Sequence, residues 1–172
     1  MNPRNIIAFL ALLLSLNLFA QDWKVHRNSE LEFRAEYLGE PKTTIQKVPT
    51  DVGVLDMHMV SHQADDSTYM SIIRTDYPEG SVTDTKVALD GAVNGAVNNV
   101  RGKLIFDNED IYNGFPGRKI KIHAQGMYLF MNAYLVNDTM YIAQVVCIEG
   151  SEDSPLIDKF LNSFDIIKVK KD

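Results

Sequence analysis

Between Met127 and Ile148 the chain carries two runs in which both faces of a period-2 pattern are apolar. In the first, Met127, Leu129, Met131, Ala133 and Leu135 fall on one face and Tyr128, Phe130, Tyr134 and Val136 on the other. In the second, Met140, Ile142, Val146 and Ile148 oppose Tyr141, Ala143, Val145 and Cys147. Alternation of this kind marks a β-strand, and a strand that is apolar on both faces must be covered on both sides. Asn137-Asp138 separates the runs as a turn. The expectation is a hairpin at the centre of an antiparallel sheet in an α+β fold, with helices or packed loops over both faces.

The chain before this hairpin reads as strands around one long helix. Leu31, Phe33, Ala35 and Tyr37 alternate with Glu32, Arg34 and Glu36, as in a strand with one wet face. Further strands are expected within Lys42 to Val48, Val54 to Ser61 and Tyr69 to Tyr77, with turns at Gly39-Glu40-Pro41, from Pro49 to Gly53 and at Pro78-Glu79-Gly80, and a polar loop from Gln63 to Ser67. Ser81 and Asp84 have the form of a capping box, Val82, Leu89, Val93, Ala96 and Val100 recur at helical spacing, and Gly102 is placed to end the helix. Gly91 and Gly95 weaken that helix by about 1 kcal/mol each relative to Ala, so either a close packing contact needs them or the helix is locally loose. The strand from Lys103 to Ile111 reads as interrupted by Asp107-Asn108-Glu109-Asp110, and Gly114-Phe115-Pro116-Gly117 as a turn before the strand from Arg118 to His123. After an acidic loop from Glu149 to Asp153, Ser154 caps a short helix with Pro155 at its first position and Leu156, Ile157, Phe160, Leu161 and Phe164 on its apolar face. The tail from Lys168 to Asp172 is charged, and no internal repeat or linker is present.

At the start of the chain, Arg4, an apolar core from Ile6 to Phe19 and the small residue Ala20 match a secretory signal peptide, residues 1–20. A membrane span needs about 20 apolar residues, and this run contains Ser15 and Asn17. Residues 21–172 are then a single globular domain of about 150 residues, exported to the periplasm or secreted, with no membrane span in the mature form. One cysteine excludes an internal disulfide, and its place on an apolar strand face makes Cys147 a buried small hydrophobe rather than a nucleophile. The formal net charge of −6, made more acidic by loss of Arg4, disfavours nucleic acid and anionic membrane surfaces as partners.

This order of elements, together with Gly114-Phe115-Pro116-Gly117, the aromatic hairpin around Met140-Tyr141 and the closing Phe160-Leu161-Asn162-Ser163-Phe164, resembles the PsbP-like superfamily. That family is the α/β/α sandwich of the photosystem extrinsic protein P and of a nuclear-import factor that binds the Ran GTPase. The resemblance runs from Leu31 to Phe164. It implies a non-catalytic scaffold that binds proteins, ions or small ligands, and it carries over no set of functional residues.

Reactive constellations are sparse. His58 and His62 are four apart, the metal-ligand spacing of a helix, but in a strand those positions stand about 13 Å apart and cannot share an ion. His26 and His123 have no sequence reason to converge. The acidic segments at Asp65-Asp66, Asp107 to Asp110 and Glu149 to Asp153 lack the spacing of a calcium loop. There is no Gly-x-Ser-x-Gly elbow and no phosphate-cradling glycine loop, and Ser163 reads as a cap or turn residue. Asn137-Asp138-Thr139 fits a glycosylation acceptor but reads first as the hairpin turn. No catalytic residue, metal or cofactor is implied. The favoured reading is an exported accessory module that binds an unidentified protein or small ligand. The alternative is a small hydrolase or metal-dependent enzyme built from dispersed groups such as His58, His123 and the acidic loops.

Overall fold

The computed structural model describes residues 23–50 and 52–167; the expected signal peptide lies outside them. The strands are β1 (Lys24–Asn28), β2 (Phe33–Tyr37), β3 (Lys42–Thr50), β4 (Gly53–Asp65), β5 (Thr68–Asp76), β6 (Lys103–Tyr112), β7 (Phe115–Ala124), β8 (Met127–Val136), β9 (Thr139–Ile148) and β10 (Asp165–Ile166). The helices are α1 (Thr85–Val100) and α2 (Pro155–Ser163). A seven-stranded antiparallel sheet has the order β3-β4-β5-β9-β8-β7-β6, and a three-stranded sheet the order β1-β2-β10.

The β8–β9 hairpin sits at the middle of the large sheet, as its two apolar faces require. The faces bury against different layers. Leu129, Met131, Ala133 and Leu135 of β8, with Ile120 and Ile122 of β7 and Met140 of β9, meet Leu89 and Val93 of α1. On the opposite face Tyr134, Tyr141, Ala143, Val145 and Cys147 join Val60, Met70 and Ile72, and Phe33, Ala35 and Tyr37 of the small sheet pack there with Ile157 and Phe160 of α2. Tyr37 ties the two layers by donating from Oη to the Val60 carbonyl at 2.9 Å. The first face is thus covered by α1, and the second by α2 together with the small sheet.

Several boundaries also differ from expectation, each for a local reason. Asp84, not Ser81, caps α1, because its extended backbone aims the carboxylate at the Val87 N–H, 3.1 Å away. The helix ends at Arg101 in the left-handed region, φ 50°, and Gly102 donates to the Val97 carbonyl at 2.9 Å. A Cβ added at Gly91 or Gly95 would meet nothing within 4 Å, so no packing contact requires either glycine. The turn between β6 and β7 is Asn113-Gly114, both at positive φ, while Phe115 to Gly117 belong to β7. β4 continues to Asp65, which shortens the expected polar loop to its last residues. Ser154 caps α2 from just before Pro155, as expected, accepting from the Leu156 N–H.

The acidic run from Asp107 to Asp110 does not break β6. It stays in register with β7, which answers it with cations on both faces. On the α1 side, Arg118 donates from Nε to Asp107 at 2.7 Å and from its guanidinium to Asp90 of α1 at 2.7 Å. On the other side, Lys119 lies 3.3 Å from Asp110.

Candidate functional site

The layer of α2 and the small sheet does not extend over the whole second face. α2 packs on β8, β9 and β2, and the margin formed by β6 and β7 stays open, with Asn108 exposed. Where this margin meets the end of α2 there is a cleft of about 290 Å³. Its floor is Lys119 of β7 and Asn132 and Tyr134 of β8, its outer wall Asp110 to Tyr112 of β6, and its inner wall Leu161, Asn162 and Phe164. Ser163 holds the end of α2 in place, donating to the Phe160 carbonyl at 2.7 Å while accepting from the Glu36 N–H at 2.9 Å.

Aromatic rings form one side. The rings of Tyr112 and Tyr134 are 5.0 Å apart, and those of Tyr134 and Phe164 are parallel at 6.2 Å. Both hydroxyls are spoken for: Tyr134 donates to Asp110 at 3.0 Å, and Tyr112 donates to Asp165, which also pairs with Arg34 at 2.8 Å. Burial, reinforced by those carboxylate partners, raises the Tyr134 and Tyr112 hydroxyls above their ordinary value and keeps them neutral. Asp110 in turn lies between Tyr134 and Lys119. The apolar surface continues past the cleft, where the Lys121 ammonium stands 4.4 Å over the Tyr128 ring and 4.7 Å over that of Phe130. Tyr134 and Phe164 are themselves buried, so the site presents a mostly polar surface with directed hydrogen bonds, and neither an activated nucleophile nor a free base among the lining groups.

The groups singled out in the sequence lie elsewhere. His58 and His62 are both on β4, and His123 is on β7, separated by three strands or about 19 Å in the sheet direction. His123 packs against Tyr128 with ring centroids 4.7 Å apart, and its Nε2 stands 3.6 Å from Glu149, beyond hydrogen-bond reach. His26 packs beside Phe33 and Tyr37. Cys147 is buried, which pushes its thiol up. The acidic loops fold onto themselves: Asp65 accepts from the Ser67 N–H and hydroxyl, both at 2.7 Å, and Glu152 accepts from the Gly150 N–H at 2.5 Å. Among the described residues no group of three or more His, Cys, Asp or Glu side chains is arranged to hold a metal ion. The cleft itself was missed, and its one sequence signal is Asn132, the polar residue within an otherwise apolar central strand.

No family model matches the chain, and no curated protein sequence matches it. Among solved structures it is similar to the solution structure of cyanobacterial PsbP (CyanoP) from Synechocystis sp. PCC 6803, with a TM-score of 0.55 and 13% identity over 87% of this chain and 95% of that one. An identity this low speaks for the fold and not for a shared activity. The match agrees with the order of elements and the central hairpin described above, and the chain has a PsbP-like fold.

Proposed function

We propose that this protein is an exported, non-catalytic binding module that holds a small ligand, or a side chain of a partner protein, in the cleft between β6 and the end of α2. Residues 21–172 form its single domain on an α/β/α-type scaffold, released from the signal peptide after Ala20. The observation that carries the reading is the cleft: a concave site whose hydrogen-bonding groups already have their protons and charges balanced suits recognition rather than bond making. The PsbP-like fold supports it as a scaffold of accessory proteins. No helix among the described residues is long and apolar enough to cross a membrane, and export itself rests on the pattern of Arg4, Ile6 to Phe19 and Ala20.

The test compares the purified protein with an Asn162→Trp variant, which fills the cleft mouth from an exposed position. Both are used to capture ligands from the extracytoplasmic fraction of the source cells and screened against ester, phosphoester, peptide and glycoside substrates. The reading expects a component retained by the wild type and released by the variant, without turnover. Turnover that disappears on changing His58, His62 or His123 to Ala would favour the enzymatic alternative instead.

A further inference from the structure

The large sheet ends in two edge strands, and they are protected unequally. β3, at one edge, carries Lys42, Lys47 and Pro49, residues that hinder pairing with another chain. β6, at the other, exposes Leu104, Ile105, Phe106 and Ile111, with Ile111 at 75%. No described backbone group outside β7 hydrogen-bonds to β6, which leaves its outer row of N–H and C=O groups without a partner among the described residues. A long edge of this kind is a template for an added strand. Past the bulge between Leu104 and Phe106, pairing with β7 is unbroken from Phe106 to Tyr112, so the regular stretch of the edge is seven residues long.

The charges along this stretch specify what an added strand carries. Asp107 is matched by Arg118 and Asp110 by Lys119, but Glu109 pairs with no cation among the described residues. Arg118 stands opposite Glu109 in register, yet its guanidinium is taken by Asp107 and Asp90. Glu109 shares its side of the strand with Ile111, and Phe106 lies on the other side, opposite Lys121. An edge partner therefore meets one unmatched carboxylate between apolar side chains. A second copy of this chain fits badly. In an antiparallel pair about a two-fold axis, registers centred on Asp107, Asn108 or Glu109 set Asp107 opposite itself, Asp107 opposite Glu109, or Glu109 opposite itself. Like charges directly opposite one another oppose pairing.

Going beyond the cleft reading and independent of it, we propose that β6 accepts an extended segment of a partner protein as an eighth, antiparallel strand of the large sheet. The segment carries a basic side chain opposite Glu109 and apolar side chains opposite Ile111 and Phe106. Main-chain hydrogen bonds supply the affinity, and the side-chain pattern supplies the selectivity.

The experiment titrates the isotope-labelled protein with a capped seven-residue peptide of threonine, with valine at its second and seventh positions and lysine at its fourth. In antiparallel register from Tyr112 back to Phe106 these fall opposite Ile111, Phe106 and Glu109 respectively. A second peptide has glutamate in place of lysine, and two more carry backbone N-methyl groups at the odd or at the even positions, each removing the donors of one edge. Backbone resonances and hydrogen exchange of Lys103 to Tyr112 are followed up to about 10 mM peptide, a concentration that fills even a millimolar site. The proposal expects the lysine peptide to shift β6 resonances, to slow exchange at alternate β6 amides, and to bind about threefold or more tighter than the glutamate peptide. Only one of the two methylation patterns abolishes binding. In Glu109→Lys, a change at an exposed position, the order of the two charged peptides reverses while the rest of the spectrum is preserved. If the charged peptides bind the wild type equally, or their order does not reverse in the variant, the basic segment is the wrong partner. If no peptide reaches β6, or both methylated peptides bind as well as the parent, strand addition is overturned. If the protein alone sediments as a dimer and its β6 amides gain protection as its concentration rises, a second copy is the occupant and the proposal fails.

Discussion

Tyr134 sits directly across from Gly117 on the neighbouring strand, and its ring carbons occupy the place a Cβ at residue 117 would take. The Ala133 carbonyl oxygen, 2.5 Å from that position, closes the remaining space. The glycine thereby seats the aromatic ring that forms the cleft floor, an aromatic side chain covering a strand glycine. Gly117→Ala should overpack this point and cost about 1–3 kcal/mol. A denaturant titration reads the loss, and a change below ~0.5 kcal/mol would mean that the Tyr134 ring is free to move aside.

Two other glycines behave oppositely. Gly91 and Gly95 lie within α1 with open space around the position of a Cβ. Replacing either with Ala should therefore stabilise the protein by about 1 kcal/mol through helix propensity alone. Thermal melts of the two single variants check this, and a fall in melting temperature would reveal a contact made by that helix face.

What could be read from the sequence follows the reach of each signal. The central hairpin was legible because ten residues of alternation on each side of Asn137-Asp138 state both the period and the burial. The cap at Ser154-Pro155 was legible because its chemistry is confined to neighbouring residues. The acidic run in β6 misled because its neutralising partners, Arg118 and Lys119, lie on the next strand, and only the register brings them together. The cleft failed for the same reason, being assembled from β6, β7, β8 and the end of α2. The turn at Asn113-Gly114 reads as extending three residues further, to Gly117, because Gly117 looks like a turn residue, while its role is to admit Tyr134.

Phe160 anchors α2 to the small sheet. It is fully buried, and its ring meets that of Tyr37 edge-on at 5.1 Å. Phe160→Ala should cost about 3–5 kcal/mol. A cost below ~1 kcal/mol in a denaturant titration would show that α2 is peripheral and that the inner wall of the cleft is loosely held.

Alkaline pH should unfold the protein by a defined route. Burial pushes the Tyr141 hydroxyl from its ordinary 10.0 up to about 12, and raises Tyr37 and Tyr134 as well. Over that interval the folded chain keeps phenolic protons that the unfolded chain releases, so stability is fully present below the unfolded value and falls as pH rises from about 10 towards 12. Denaturant midpoints measured from about pH 8 to about pH 11, alongside phenolate absorbance, should fall together with the onset of tyrosine ionisation. A midpoint that stays level across this range would contradict the burial of these hydroxyls.

The central claim is that recognition takes place in the cleft between β6 and the end of α2. It is tested most directly by recording backbone amide spectra of the isotope-labelled protein with and without extracytoplasmic extract of the source cells. The account predicts shifts concentrated at Tyr112, Asn132, Leu161 and Asn162 that vanish in the Asn162→Trp variant while the rest of its spectrum is preserved. Shifts centred instead on the β3–β4 hairpin, or persisting undiminished in Asn162→Trp, would contradict it.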